Sequence, residues 1–331
     1  MTSSAAGEGG HGPSGRVKVV YIVGAGRSGS TLVGNILGQI EGVFHAGELV
    51  RVWKYGLAHD TRCGCGARLR SCQMWREILN GAAPGVLEDE ERVRDLATLQ
   101  REATRTRQLL RISAGRRVVP AAIGRYAQLM EGVYQAIARS TRSSVVVDSS
   151  KRPTPAALLR RMPSIDPFYV HLVRDPRAEV FSWTRTRSFP GEPGGELQRV
   201  PTLRAAAAWV AYNTLAEWVQ RRGPSMRVRY EDLCADPRDL VDRIVADADL
   251  PAPFTAFADD GVVLERIHGI GGNPSKRNVG FVPVRSDDEW VREQRTSARA
   301  TVTMLAAPVM HRYGYPVFIG DRRMPDAERD M

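Results

Sequence analysis

The chain has 331 residues, 43% hydrophobic and 25% charged, with a net charge of +10 and a pI near 9.8. That balance is globular and excludes a disordered or fibrous chain, and no stretch approaches the ~20 apolar residues of a membrane span. The positive, arginine-rich surface suits a polyanionic partner, either nucleic acid or an anionic cofactor and product. Residues 1–15 are Gly/Ser-rich with no apolar core, so they read as a disordered tail and as neither signal peptide nor anchor. Four cysteines argue against a secreted disulfide scaffold, and a cytoplasmic, soluble enzyme is the expected class.

The first element is the run Val17–Val23, VKVVYIV, whose continuous β-branched and aromatic character fits a strand buried on both faces of a parallel sheet. Gly24, Gly26 and Gly29 follow, interleaved with Arg27, Ser28, Ser30 and Thr31, and a helical pattern begins at Leu32. Strand, glycine loop and helix form an anion cradle, because glycines let backbone N–H groups turn toward an oxyanion and the helix start adds unpaired donors. The loop has the G-x-x-x-x-G frame of a nucleoside-triphosphate loop, but Ser30 stands where the lysine must be. It also spells G-x-G-x-x-G, yet a dinucleotide loop has no use for Arg27 and three hydroxyls.

Residues 42–53 read as a short strand entering a loop, with His45 and Glu48 at its end. His59, Cys63, Cys65 and Cys72 could form a zinc knuckle, but C-x-C departs from the usual C-x₂₋₄-C spacing, so no metal ligand is assigned. Helices are predicted over 88–112 and 121–139, the second with Ile123, Tyr126, Met130, Val133, Tyr134 and Ile137 at core spacing. Residues 144–148 form a strand ending at Asp148, with Ser149, Ser150 and Lys151 after it. A third strand, 168–173, runs into Arg174, and the next helix, from Pro176, carries Ser182. Arg174 at a strand end can fork onto a phosphate, with Ser182 two turns along the helix beside it. A Gly/Pro-rich loop (188–201), a helix (202–222), a strand (226–230) and a helix (240–250) follow. Residues 267–277, IHGIGGNPSKR, form a Gly-rich basic loop with Lys276 and Arg277, and 286–311 reads as one terminal helix capped by Ser286. Strand–loop–helix units in series imply an α/β fold whose functional residues stand at the strand C-terminal ends.

The segment Gly26-Arg27-Ser28-Gly29-Ser30-Thr31-Leu32, with Arg174 and Ser182 in VRDPRAEVFSW, resembles the nucleotide-binding motifs of sulfotransferases that use 3′-phosphoadenosine 5′-phosphosulfate (PAPS). The loop is similar to the arginine version of the carbohydrate and tyrosylprotein branches. The resemblance implies a central parallel sheet flanked by helices, a P-loop NTPase-like sulfotransferase fold, as one domain over 16–319. Residues 76–141 would be a helical lid insertion and 320–331 a C-terminal tail. It implies sulfuryl transfer from PAPS to a hydroxyl or amine of a small-molecule or glycan acceptor, releasing 3′,5′-adenosine bisphosphate (PAP), without a metal. Gly26, Arg27, Ser28, Gly29, Ser30 and Thr31 would hold the 5′-phosphosulfate, and Arg174 and Ser182 the 3′-phosphate. Lys276 and Arg277 would lie at the 3′-phosphate or adenine edge. Glu48 matches the catalytic base of the tyrosylprotein branch, with His45 the second choice, and Arg27 and Lys151 would stabilise the departing charge. The C-x-C-G…C…W stretch is shared with many bacterial members. A phosphotransferase lacking its lysine is the alternative, while the basic motifs carry almost no aromatics except Trp183, against a nucleic-acid binder.

Overall fold

The computed structural model describes residues 15–113, 119–185, 187–188, 196–197 and 199–317. The expected tails at 1–15 and 320–331 lie, apart from Gly15, outside the described residues, as does most of the loop at 188–201.

Five strands, β1 (Val17–Val23), β2 (Val43–Gly47), β3 (Val145–Lys151), β4 (Ile165–Val173) and β7 (Ser225–Arg229), form one sheet in the order β2-β3-β1-β4-β7. Every pairing is parallel, as the apolar strand runs require. Helix α1 (Ser30–Leu37) follows β1 directly. Between β2 and β3 run three short helical turns (Leu49–Arg51, Val52–Leu57 and Leu69–Ser71), α2 (Gln73–Ala82), α3 (Glu90–Ala103), α4 (Gln108–Ser113) and α5 (Ala121–Thr141). Then come α6 (Pro153–Leu159), α7 (Pro176–Thr184), the two-residue strands β5 (Arg187–Ser188) and β6 (Glu196–Leu197), and α8 (Thr202–Gln220). After β7 come α9 (Tyr230–Ala235), α10 (Pro237–Asp247), a small antiparallel sheet of β8 (Phe257–Ala258), β9 (Gly261–Leu264) and β10 (Gly280–Pro283), then α11 (Glu289–Glu293) and α12 (Thr296–Arg312).

The period of two in a strand splits β1 between two cores. Val17, Val19, Tyr21 and Val23 pack with Trp75 and Ile78 of α2 and Met130 and Ile137 of α5. Val20 and Ile22 pack on the other face with Val33 and Ile36 of α1 and Leu240 and Ile244 of α10. Each fully buried side chain of this kind contributes about 1.5–3 kcal/mol, so β1 is fixed from both sides at the end where the glycine loop begins. Pro153 and Pro176 occupy the first turns of α6 and α7, and Asp175 caps α7 by accepting from the Arg177 N–H at 2.9 Å.

Three expectations change. The helix expected over 88–112 breaks at Thr104–Arg107 into α3 and α4; Thr104 bonds back to the Gln100 carbonyl at 2.8 Å, a competitor to helix propagation. The 76–141 stretch is not a lid throughout. Helix α5 buries its apolar stripe against the sheet layer, and α3 is the part that faces a cavity. The terminal helix is two helices, because the Gln294 side chain donates to the Arg177 carbonyl at 3.2 Å and Arg299 reaches the Val291 carbonyl at 2.7 Å, closing α11. Ser286 does not cap it; its hydroxyl donates to Asp288 at 2.7 Å.

Candidate functional site

The C-terminal ends of the five parallel strands deliver Glu48, Lys151, Gly24, Arg174 and Tyr230 to one edge of the sheet. After β1 the chain turns through Gly24 (φ 142°), Arg27 (φ 70°) and Gly29 (φ 88°) into α1. A Cβ at Gly29 would lie 2.7 Å from the Tyr230 ring and one at Gly26 2.9 Å from Trp183, so both positions need glycine. Arg27 and Lys151 (φ 66°) are non-glycine residues held in the left-handed region. Such backbone strain, of order 1–3 kcal/mol each, persists where the surroundings over-determine it. Ser30 is buried at the start of α1, and the Thr31 hydroxyl accepts from the Asn273 N–H at 3.5 Å. The Ser28 hydroxyl turns inward and donates to the Ala25 carbonyl at 3.0 Å, so it braces the loop. The Arg27 guanidinium stacks over Trp183 at 5.1 Å.

Arg174 is buried at the end of β4. It donates to the Arg27 carbonyl at 3.2 Å, pairs with Asp287 at 3.4 Å and lies 4.4 Å over the Tyr230 ring. Its buried Nε has no hydrogen-bond partner. Ser182 of α7 shares a cavity with Arg174, the glycine loop, Asp287, Lys276 and 271–275. That cavity has a volume of about 430 Å³. Lys276 is buried and its amine donates to the Arg62 carbonyl at 2.8 Å, so it ties the late loop down. Arg277 is not among the residues lining the cavity, unlike Lys276, because the short helical turn Pro274–Arg277 directs successive residues to different sides.

Glu48 follows β2, whose last residue, Gly47, forms a parallel bridge with Ile270. Its carboxylate, buried, pairs with Lys151 through one oxygen and Arg51 through the other. Burial alone would raise its pKa, but the two cations overcome that and hold it at about 2. His45, the second choice for a base, lies in neither cavity. It sits against α1, where a Cβ on Gly34 would come within 2.3 Å of its ring, and its Nε2 meets the Ser149 hydroxyl at 3.0 Å. Burial and the nearby Lys151 charge lower its pKa to about 3, so it is a neutral packing residue. Asp148 is also structural. It accepts from the Tyr134 hydroxyl at 2.6 Å and the Ser150 N–H at 2.9 Å, fixing the end of β3 while burial raises its pKa to about 6.

A second cavity, about 980 Å³, opens on the far side of Glu48. Gly26, Glu48, Arg51, Tyr55, Lys151 and Trp183 line both cavities and mark where they meet. Helix α3 contributes Arg94, Gln100 and Arg101 to its wall, and α8 contributes Trp209 and Tyr212. Glu179 of α7 also lines it; burial pushes its carboxyl well above the usual range despite the Arg174 charge.

The cysteines gather, but not around His59, whose ring faces Tyr55 at 5.9 Å and lines the larger cavity. His268 stands beside Cys63, Cys65 and Cys72 instead. Sequence reading also left Trp183, Tyr230 and Asp287 without roles at the site. Tyr230 had a usable signal, since it ends a strand as Arg174 does, whereas Asp287 carries none.

A match to a family model joins this geometry. The model of the sulfotransferase family covers residues 20–254, which takes in all five strands of the sheet after the start of β1. Among curated proteins none matches the chain. Among solved structures, a sulfotransferase domain from the curacin biosynthetic pathway is 17% identical with a TM-score of 0.50, over 91% of this chain and 98% of its own. The sulfotransferase domain of the Synechococcus PCC 7002 olefin synthase is likewise 17% identical with a TM-score of 0.50, over 96% of this chain and 99% of its own. At that identity the likeness speaks for the fold, a parallel α/β sheet with a phosphate-type loop after its first strand. With the matched region spanning most of the chain, this protein belongs to the sulfotransferase family.

Proposed function

We propose that the protein transfers a sulfuryl group from PAPS to an acceptor hydroxyl or amine by in-line displacement. The observation that carries this reading is the meeting of a cation-lined cavity and a larger open one at Glu48 and Lys151. Arg27, the backbone amides of the glycine loop and the start of α1 would take the 5′-phosphosulfate, and Arg174 and Ser182 the 3′-phosphate. Glu48 would accept the proton as the acceptor oxygen bonds to sulfur and the sulfur–phosphate oxygen bond breaks. Lys151, leaving Glu48 for the bridging oxygen, would stabilise the departing PAP and raise the basicity of the carboxylate it leaves.

The larger cavity supports an anionic acceptor. Among the described residues, Lys54, Arg94, Arg101, Arg105 and Arg152 line it against only Glu48, which is paired, and Glu179, whose carboxyl is raised toward neutrality. Acceptor KM should therefore rise with ionic strength as screening weakens these charges. The reading is tested by incubating the protein with ³⁵S-labelled PAPS and a small-molecule extract. Label is expected to move from nucleotide to an acceptor fraction; movement of ³²P from γ-labelled ATP instead would favour a phosphotransferase.

Two further expectations arise from the geometry. Arg174→Ala should weaken PAP binding by about 1.5–3 kcal/mol, the scale of hydrogen bonds to a charged group. Adenosine 5′-phosphosulfate, which has no 3′-phosphate, should bind wild type and variant about equally in a titration; a large loss for that ligand would make Arg174 structural. The second concerns stability. The Glu48 carboxyl is lowered from 4.5 to about 2 in the folded chain, so its ion pairs contribute fully above about pH 4.5 and lose that contribution as pH falls toward 2. The difference in thermal midpoint between wild type and Glu48→Gln should be constant above that window and vanish below it.

A further inference from the structure

Away from both cavities, the thiols of Cys63, Cys65 and Cys72 and the Nδ1 of His268 lie within 4.8 Å of one another. Cys63 and Cys72 are buried, and all three are free of disulfides. The Cys63–Cys72 and Cys65–Cys72 sulfurs are each 3.8 Å apart, too far for a disulfide. The His268 Nδ1 lies 3.3 Å from Cys72 and 3.8 Å from Cys63. A tetrahedral zinc, with sulfur at about 2.3 Å and nitrogen at about 2.0–2.1 Å, sets edges of about 3.8 Å between sulfurs and about 3.6 Å from sulfur to nitrogen. The two sulfur–sulfur separations of 3.8 Å and the sulfur–nitrogen separations of 3.3 and 3.8 Å fall around those edges.

The backbone is built for this convergence. Cys63-Gly64-Cys65-Gly66 is a tight turn, with Gly66 at φ 93° and its N–H donating to the Cys63 carbonyl at 3.0 Å. The Cys63 N–H donates to the Ala67 carbonyl at 2.9 Å. Gly64 then lies flat on the chain that carries the histidine. Its N–H donates to the Gly269 carbonyl at 3.0 Å, and a Cβ there would come 2.6 Å from the Ile267 carbonyl oxygen. The Trp75 indole donates to the His268 carbonyl, locking that peptide from the other side.

We propose that Cys63, Cys65, Cys72 and His268 hold one structural zinc ion. Four protein ligands leave no open position, so the ion is a brace and takes no part in sulfuryl transfer. On binding, the three thiols give up their protons to solvent and the imidazole coordinates through Nδ1. Soft thiolates with one imidazole favour zinc over magnesium, calcium or manganese.

What the ion would brace is the late loop. From His268 the chain runs directly to Ile270, whose N–H donates to the Ala46 carbonyl at 2.8 Å and whose carbonyl accepts from the Glu48 N–H at 2.6 Å. It continues through Gly271 and Gly272 to Asn273, bonded to Thr31, and to Lys276, bonded to the carbonyl of Arg62 beside Cys63. The zinc thus closes a ring joining the cysteine turn, the Glu48 backbone and the start of α1.

Metal content needs neither PAPS nor an acceptor, so this proposal stands or falls apart from the transfer reaction. Full-length protein purified without chelator is expected to carry about one zinc per chain by elemental mass spectrometry. Reconstitution with Co²⁺ should give the intense visible bands of a tetrahedral thiolate site. His268→Gln and Cys65→Ser should each lose most of the tightly held metal, while His59→Gln and Cys234→Ser should keep it. Should a cysteine variant fail to fold, the wild-type zinc content and cobalt spectrum still decide. Chelation should speed amide hydrogen exchange at Ile270. Wild-type protein carrying neither zinc nor a thiolate–cobalt spectrum would overturn the proposal, as would stoichiometric iron in place of zinc. So would metal that survives His268→Gln and is lost with His59→Gln.

Discussion

Glu48→Gln is expected to lower turnover by about 10²–10⁴, the range for loss of a general base. Glutamine keeps the shape and part of the hydrogen bonding but cannot take the acceptor proton. The position makes this a sharp test, because Glu48 is the acid at the junction of the two cavities, while the second choice, His45, is packed against α1 and reaches neither. The variant is also expected to lose about 1–3 kcal/mol of stability, since Lys151 would be left without its carboxylate partner at a site where its side chain is only 17% exposed. PAP affinity should change far less than turnover. Turnover within a few-fold of wild type would remove Glu48 from the chemistry.

Arg27→Gly should lower turnover by about 10²–10³, the scale of losing one preorganised donor at a developing charge. Glycine is chosen because Arg27 sits at φ 70°, where glycine is relaxed and alanine is not. Removing the side chain therefore relieves backbone strain while losing the stacking on Trp183, and the thermal midpoint should move by no more than the equivalent of about 1 kcal/mol. A large fall in stability with unchanged turnover would make the arginine a loop brace. A fall in turnover without a fall in stability is the signature of charge acting on the transition state.

Much of this arrangement was legible in the sequence for a physical reason. Strands buried on both faces must be continuous apolar runs, so β1, β3 and β4 declare themselves, and the residues at their ends fall at the site by topology alone. Arg174 and Lys151 could be placed that way. Contacts between distant segments could not. His268 joins cysteines about 200 positions earlier through long-range contacts such as the Gly64–Gly269 backbone hydrogen bond and the Trp75 indole on its carbonyl, and His59, near in sequence, was the natural but mistaken partner. The break between α11 and α12 depends on Gln294 reaching Arg177, which no local pattern encodes. The small sheet of β8, β9 and β10 had a missed signal, since Asp259-Asp260-Gly261 is a turn sequence between short apolar runs. The lid expectation failed for α5 because an apolar stripe at helical spacing says that a helix is covered, not by what.

The most direct test of the account is thermal unfolding with PAP, ATP and NAD at equal concentrations. PAP should raise the midpoint by several degrees, corresponding to about 2.7 kcal/mol at a hundredfold excess over Kd. ATP and NAD should do far less, because neither carries the 3′-phosphate assigned to Arg174 and Ser182. Equal stabilisation by ATP would contradict the account.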